Sequence, residues 1–254
     1  MEIVARALWL PKSGNTAEEY EDAWAVGDET AEAADRFRCA VADGATEASF
    51  SGLWARLLTQ GYCDGAFADE PSLADFAPQQ AVWAREVATI RLPWYAEEKA
   101  RSGAFSALLG LSIAAVTGPA GGRWAALAVG DSCLFQVRDD QLLLAWPLAA
   151  AESFTNSPML LSSNPARNVA LAQHLVLSAG DWVLGDAFYL LTDALACWFL
   201  LAYEAGGRPW ADLDAVAAAD SGTFVAWIAE LRAARVLRND DVTLLRVAVG
   251  GSGG

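Results

Sequence analysis

Apolar and polar positions follow two periods along this chain. Residues 2–10 and 22–27 read as short strands, and Arg36 to Ala42 alternates charged and apolar side chains as a half-buried strand does, ending at Asp43-Gly44. From Glu47 to Gln60 the period changes: Phe50, Leu53, Trp54, Leu57 and Leu58 fall at helical spacing, and Gly61 is the predicted stop. A second helical stretch runs from Leu73 to Arg101, where Pro93 is expected to kink or divide it.

Four apolar, strand-like runs follow at Ala104–Val116, Arg123–Val129, Cys133–Val137 and Gln141–Trp146, separated by the turn signals TGPAGG, GDS and DDQ. Together they predict an antiparallel meander. After a polar stretch from Ser153 to Asn168, strands are predicted at Leu175–Leu177, Asp181–Val183 and Phe188–Thr192, the last leading into Asp193. Helical patterns at Leu195–Ala205, Leu213–Ala219 and Phe224–Ala234 precede a final strand, Val242–Val249. No break in composition divides the chain, which predicts one α/β domain over residues 1–249 with helical pairs flanking sheets. Residues 250–254 read as a flexible Gly/Ser tail.

Composition narrows the function. With 254 residues and 54% apolar side chains, the chain can fill a substantial core. A net charge of −15 with only 17 Lys and Arg argues against a nucleic-acid or anionic-membrane binder, since phosphate contacts rely on clustered bases. The four cysteines, Cys39, Cys63, Cys133 and Cys197, show no paired spacing for zinc and no disulfide framework, which predicts a reducing, cytoplasmic setting. The N-terminus lacks the pattern of a secretory signal, and the run from Val183 to Tyr203 carries Asp186 and Asp193, so no membrane span is expected. A single histidine, His174, without a GxSxG elbow disfavours a Ser-His-Asp or Cys-His mechanism. Neither a Walker loop nor a GxGxxG run is present. Most of the eleven tryptophans, among them Trp54, Trp83, Trp198 and Trp227, sit at helical spacing among apolar neighbours and read as core.

The chemistry lies in four acidic motifs, each beside a strand-like run: Glu21-Asp22, Asp43-Gly44, Thr192-Asp193 and Asn239-Asp240-Asp241. Strand ends from distant parts of a chain converge in a sheet, and converging carboxylates with few bases nearby call for divalent cations. Magnesium and manganese take oxygen ligands and keep several waters, so a few aspartates and a carbonyl suffice. The pattern points to metal-assisted hydrolysis. Each motif alone has an ordinary explanation: Asp43-Gly44 as a turn, Glu21-Asp22 as a solvated pair, Asp193 as a helix cap, and Asp131 in the GDS turn as a structural acceptor of backbone hydrogen bonds.

Taken in order, EDA (Glu21–Ala23), VADG (Val41–Gly44), SGAFSALLG (Ser102–Gly110), AVGDSCLFQVRDDQL (Ala128–Leu142), YLLTDAL (Tyr189–Leu195) and NDDVTLL (Asn239–Leu245) resemble the metal-dependent type 2C protein phosphatases over nearly the whole chain. The resemblance implies a four-layer αββα sandwich of two mainly antiparallel sheets, with two Mg2+ or Mn2+ ions about 4 Å apart sharing a bridging water. It implies hydrolysis of phosphoserine and phosphothreonine in a phosphorylated protein, and a cognate Ser/Thr kinase as a possible partner. On this basis Asp22 and Asp43 touch the metals, Asp43 bridging; the Gly44 carbonyl, Asp193 and Asp240 complete the shells; and Glu21 holds a metal-bound water. Asp241 stands where the family usually has Asn.

Several positions depart from the pattern. Ala45 and Thr46 follow Asp43-Gly44 where members often have His or Met-Gly, and Ala194 replaces a usual Gly. Ala100 occupies the place of a third-metal aspartate, with Glu97 and Glu98 nearby, so a third ion is not implied. The phosphate-gripping arginine is absent near Ala17, leaving Lys12 as the upstream base for substrate. The segment from Ala149 to Gln173 leaves room only for a reduced flap. These departures keep a second expectation open: a non-catalytic, metal- or phosphoprotein-binding member of the same fold.

Overall fold

A computed structural model describes residues 2–27, 36–46, 50–67, 71–91, 97, 100–115 and 121–250. Strands β1 (Glu2–Leu10), β2 (Ala23–Val26) and β3 (Arg36–Ala42) precede helices α1 (Ser51–Cys63) and α2 (Ala77–Ala88). Strands β4 (Phe105–Ser106), β5 (Leu108–Ala115), β6 (Gly121–Val129), β7 (Cys133–Arg138), β8 (Gln141–Trp146) and β9 (Leu161–Ser162) follow. Next come β10 (Val176–Val183) and β11 (Ala187–Leu191), then α3 (Asp193–Glu204), α4 (Pro209–Ala218), α5 (Ser221–Ala233) and β12 (Val242–Gly250).

The chain forms two compact units. The first comprises Met1–Tyr20, Asp131–Ser157 and Val183–Gly254. Its five-stranded sheet has the order β1-β12-β11-β7-β8, with every neighbouring pair antiparallel. One face carries Leu8, Phe135, Tyr189, Leu191 and Leu244, which pack with Leu195, Phe199, Leu213, Phe224 and Ile228 of α3, α4 and α5. Along α3, Leu195, Trp198 and Phe199 recur at helical spacing and are buried, so this face forms the helix-covered core.

The second unit comprises Glu21–Gly130 and Pro158–Trp182. Its sheet runs β10-β6-β5-β3-β2, and β4 pairs with β9 in a separate two-stranded ribbon. Ala40, Ala42, Leu108, Leu127 and Val129 pack with Trp54, Leu58 and Tyr62 of α1 and Trp83 and Val87 of α2. The alternate positions Phe37, Cys39, Val41, Leu109, Leu111 and Ile113 are buried as well. Both faces of this sheet are therefore apolar, which is why its strands read as nearly continuous hydrophobic runs.

Several expectations need correction. Helix α1 does not stop at Gly61 but continues to Cys63, and a side chain at Gly61 would meet Gln79 Nε2 at 2.7 Å. That glycine permits a close approach; the stop comes at Asp64 and Gly65, the latter at φ +74°. The stretch from Leu73 begins as a 3₁₀ turn, Leu73–Phe76, and α2 ends at Ala88. Glu47, Pro93 and Glu98 lie outside the described residues. The predicted meander divides: β5 pairs with β6 and β7 with β8, but β6 and β7 belong to different sheets. Gly130, at φ +95°, turns the chain between them, and a Cβ there would sit 2.6 Å from that of Ala107. The two short strands predicted around residue 179 are one strand, β10. Gly250, assigned to the tail, pairs with Glu2.

Candidate active site

In the first unit the acidic residues collect at one end of the sheet, and strand register puts them there. Leu10 pairs with Val242, Leu191 with Leu244, and Leu191 with Cys133. One or two residues beyond these pairs lie Lys12, Asp240, Asp241, Asp193 and Asp131. The connecting turns are stitched together. The Lys12 amide donates to Asp241 Oδ1 at 2.8 Å, and the Ser13 amide to Asn239 Oδ1 at 2.7 Å. Arg232 donates to the Asp240 carbonyl at 2.6 Å and the Pro11 carbonyl at 3.1 Å. Asp241, 5% exposed, is thereby a staple between turns, and the neighbouring Asp240 carboxylate is the more accessible of the two.

Asp193 is the first residue of α3, not its cap. Thr192 precedes the helix, and its Oγ1 accepts the Thr243 amide at 2.9 Å. The Asp193 Oδ1 accepts the Ala194 amide at 2.5 Å, and its Oδ2 is ion-paired with Arg238. The same guanidinium reaches Asp240 Oδ2 at 3.6 Å through Nε. Asp131 completes the set: one of its carboxylate oxygens lies within 4.8 Å of one from Asp193. It is 5% exposed, and burial raises its pKa against the lowering pull of its own amide and of Arg238. Reading Asp131 as a turn residue missed this proximity. The available signal was its place just before the strand that pairs with the one leading into Asp193.

In the second unit, Ala23 pairs with Ala42, so Asp22 and Asp43 sit opposite one another just beyond the paired ends of β2 and β3. Asp22 is 3% exposed and Asp43 half-buried. The Asp43-Gly44 backbone is held by the Ala107 amide on the Asp43 carbonyl at 2.8 Å, the Ala45 amide on the Phe105 carbonyl at 2.9 Å, and a bridge between Gly44 and Ser106. Glu21 accepts the Ser51 hydroxyl at 2.5 Å, which ties it to the start of α1. Gly44 is a cradle that a side chain would fill: a Cβ would meet the Glu21 carbonyl oxygen at 2.5 Å and the Ser51 carbonyl carbon at 2.9 Å.

In each unit the donors are of the kind that fits a hard divalent cation. They are carboxylate and carbonyl oxygens, the ligands that suit magnesium and manganese. Nitrogen and sulfur donors lie elsewhere: His174 is exposed at the end of the turn Leu171–Gln173, and burial raises the pKa of all four free cysteines. Glu97 is exposed and ion-paired with Arg101 at 3.3 Å, while Ala100 is buried. The structure places the Lys12 main chain beside Asp241, as described above.

The family is identified by its sequence model: residues 16–241 match that of protein phosphatase 2C, and the chain belongs to this family. No curated protein sequence matches it. Among solved structures it is similar to the Mycobacterium tuberculosis serine/threonine phosphatase PstP/Ppp, at 17% identity and a TM-score of 0.58 over 98% of this chain and 99% of that one. The catalytic domain of PstP in complex with two manganese ions is 18% identical, with a TM-score of 0.55 over 98% of this chain and 100% of that one. The S. agalactiae serine/threonine phosphatase is 13% identical, with a TM-score of 0.56 over 98% and 100%. At these identities the likeness establishes the fold, a mixed α/β architecture with two large antiparallel sheets. Among the described residues no helix is long and apolar enough to cross a membrane.

Proposed function

We propose that this chain is a magnesium- or manganese-dependent protein phosphatase acting on phosphoserine and phosphothreonine. The observation that carries the reading is family membership together with aspartates at strand ends, at the positions the motif resemblance assigns to metal ligands. In this reading Asp22, Asp43, the Gly44 carbonyl, Asp193 and Asp240 hold two ions, and Glu21 acts through a water. Bound divalent ions would supply an activated water and offset the negative charge of the phosphoryl group.

The chain's own residues prepare for this. Burial of Asp22 and the backbone bonds that hold the main chain at Asp43 restrict both residues before any ligand arrives, which lowers the ordering cost of binding. Arg232 and the Lys12 amide hold the 239–241 turn so that Asp240 is presented, and the Lys12 side chain is the proposed phosphate contact. The substrate is a phosphorylated protein, a Ser/Thr kinase is the proposed counterpart, and the setting is cytoplasmic.

One observation favours a second reading, a non-catalytic metal- or phosphoprotein-binding member of the same fold: Arg238 is already paired with Asp193 and Asp240. Hydrolysis of p-nitrophenyl phosphate with manganese separates the two. The enzymatic reading expects turnover that falls by about 100-fold or more in Asp43→Asn, as loss of a group stabilising the transition state would cause. No turnover, or equal rates for parent and variant, contradicts it.

A further inference from the structure

Arg238 directly precedes the turn that presents Asp240, and its carbonyl accepts the Asp240 amide at 3.0 Å. This tight turn folds the guanidinium back over the carboxylates. Nη2 pairs with Asp193 Oδ2 from the start of α3, and Nε approaches Asp240 Oδ2 from the turn before β12. The Arg238 side chain is 49% exposed and that of Asp193 only 12%, so the cation covers the acid from the solvent side. Asp131 adds a third carboxylate, itself buried, to the same sheet end.

A second nearby arginine is committed differently. Arg232 donates from Nη1 and Nη2 to the Pro11 and Asp240 carbonyls and the Ser13 hydroxyl, and so shapes the turn without occupying a carboxylate oxygen. Arg238 alone, among the described residues, is ion-paired with both Asp193 and Asp240.

We infer that Arg238 is a built-in counter-cation that competes with divalent metal for Asp193 and Asp240. The inference rests on the reading of those aspartates as metal ligands. A carboxylate oxygen engaged by a guanidinium N–H offers a poorer lone pair to a metal, and two cations on one oxygen repel. Metal entry therefore requires the half-exposed arginine to swing away. Its loss should act in opposite directions on the two states. The metal-loaded protein loses a repulsion, whereas the protein in chelator loses the charge that keeps Asp193, Asp240 and Asp131 from repelling one another.

Calorimetric titration with Mn2+ tests this on the full chain, comparing parent, Arg238→Gln and Arg238→Lys. Arg238→Gln is expected to bind Mn2+ about tenfold more tightly than parent, the scale expected when a partly buried ion pair no longer has to be broken. It is also expected to melt at a lower temperature in chelator. Arg238→Lys, which keeps the charge without the fork, should fall between the two and carries the test if the glutamine variant does not fold. Equal or weaker Mn2+ affinity in both variants, with parent-like circular dichroism, overturns the inference and leaves the ligand assignment standing. Absence of Mn2+ binding in all three proteins overturns both.

Discussion

Aspartates of one chemistry acquire opposite properties here according to what surrounds them. Asp220 caps α5, accepting the Thr223 amide at 2.9 Å, and this backbone bond lowers its pKa below the ordinary 3.8. Asp131 is buried, and desolvation moves its pKa the other way. The Asp220 case gives a pH test with a definite sign. A depressed pKa means that the folded state holds the ionised form more strongly than the unfolded chain, so its stabilisation is present above 3.8 and is lost as the pH falls through the folded value. Asp220→Ala should therefore lower the melting temperature at pH 7, with the difference from parent shrinking in melts taken at successively lower pH below 3.8. A difference independent of pH would mean that helix propensity, not the charged cap, is responsible.

At the scale of elements, the decisive contact is backbone against backbone at Gly44. The chain entering β2 at Glu21, the turn after β3 and the first residue of α1 meet there with no room for a methyl group. Both nearest atoms belong to the main chain, so neither can rotate aside. Gly44→Ala should force β2 and α1 apart and destabilise the protein by about 1–3 kcal/mol, as overpacking of a tight site does. Urea denaturation measures this directly. A variant as stable as parent would show that these elements are not held at the separation described. Because Glu21 and Asp43 depend on the same contact, the change should weaken Mn2+ binding as well.

For the molecule as a whole, strands were legible where a hydrophobic run had clear ends: Arg36–Ala42 and Gln141–Trp146 were readable because charges and turn residues bound them. Membership of sheets was not. The Gly130-Asp131-Ser132 turn has the composition of a hairpin, yet β6 and β7 lie in different sheets, a long-range pairing that no local pattern encodes. The acidic ligands proposed from sequence stand at strand ends because register, a long-range property, places them there. Asp131 and Arg238 were passed over for the same reason. Their significance lies in proximity to Asp193, which sits 62 and 45 positions away along the chain. The central claim, a metal-dependent Ser/Thr phosphatase, is tested most directly by phosphate release from a phosphothreonine peptide as Mn2+ is titrated into chelator-treated protein. The account predicts no release without metal and a saturable rise with it, abolished again by chelator; release unaffected by chelator, or none at any Mn2+ concentration, would contradict it.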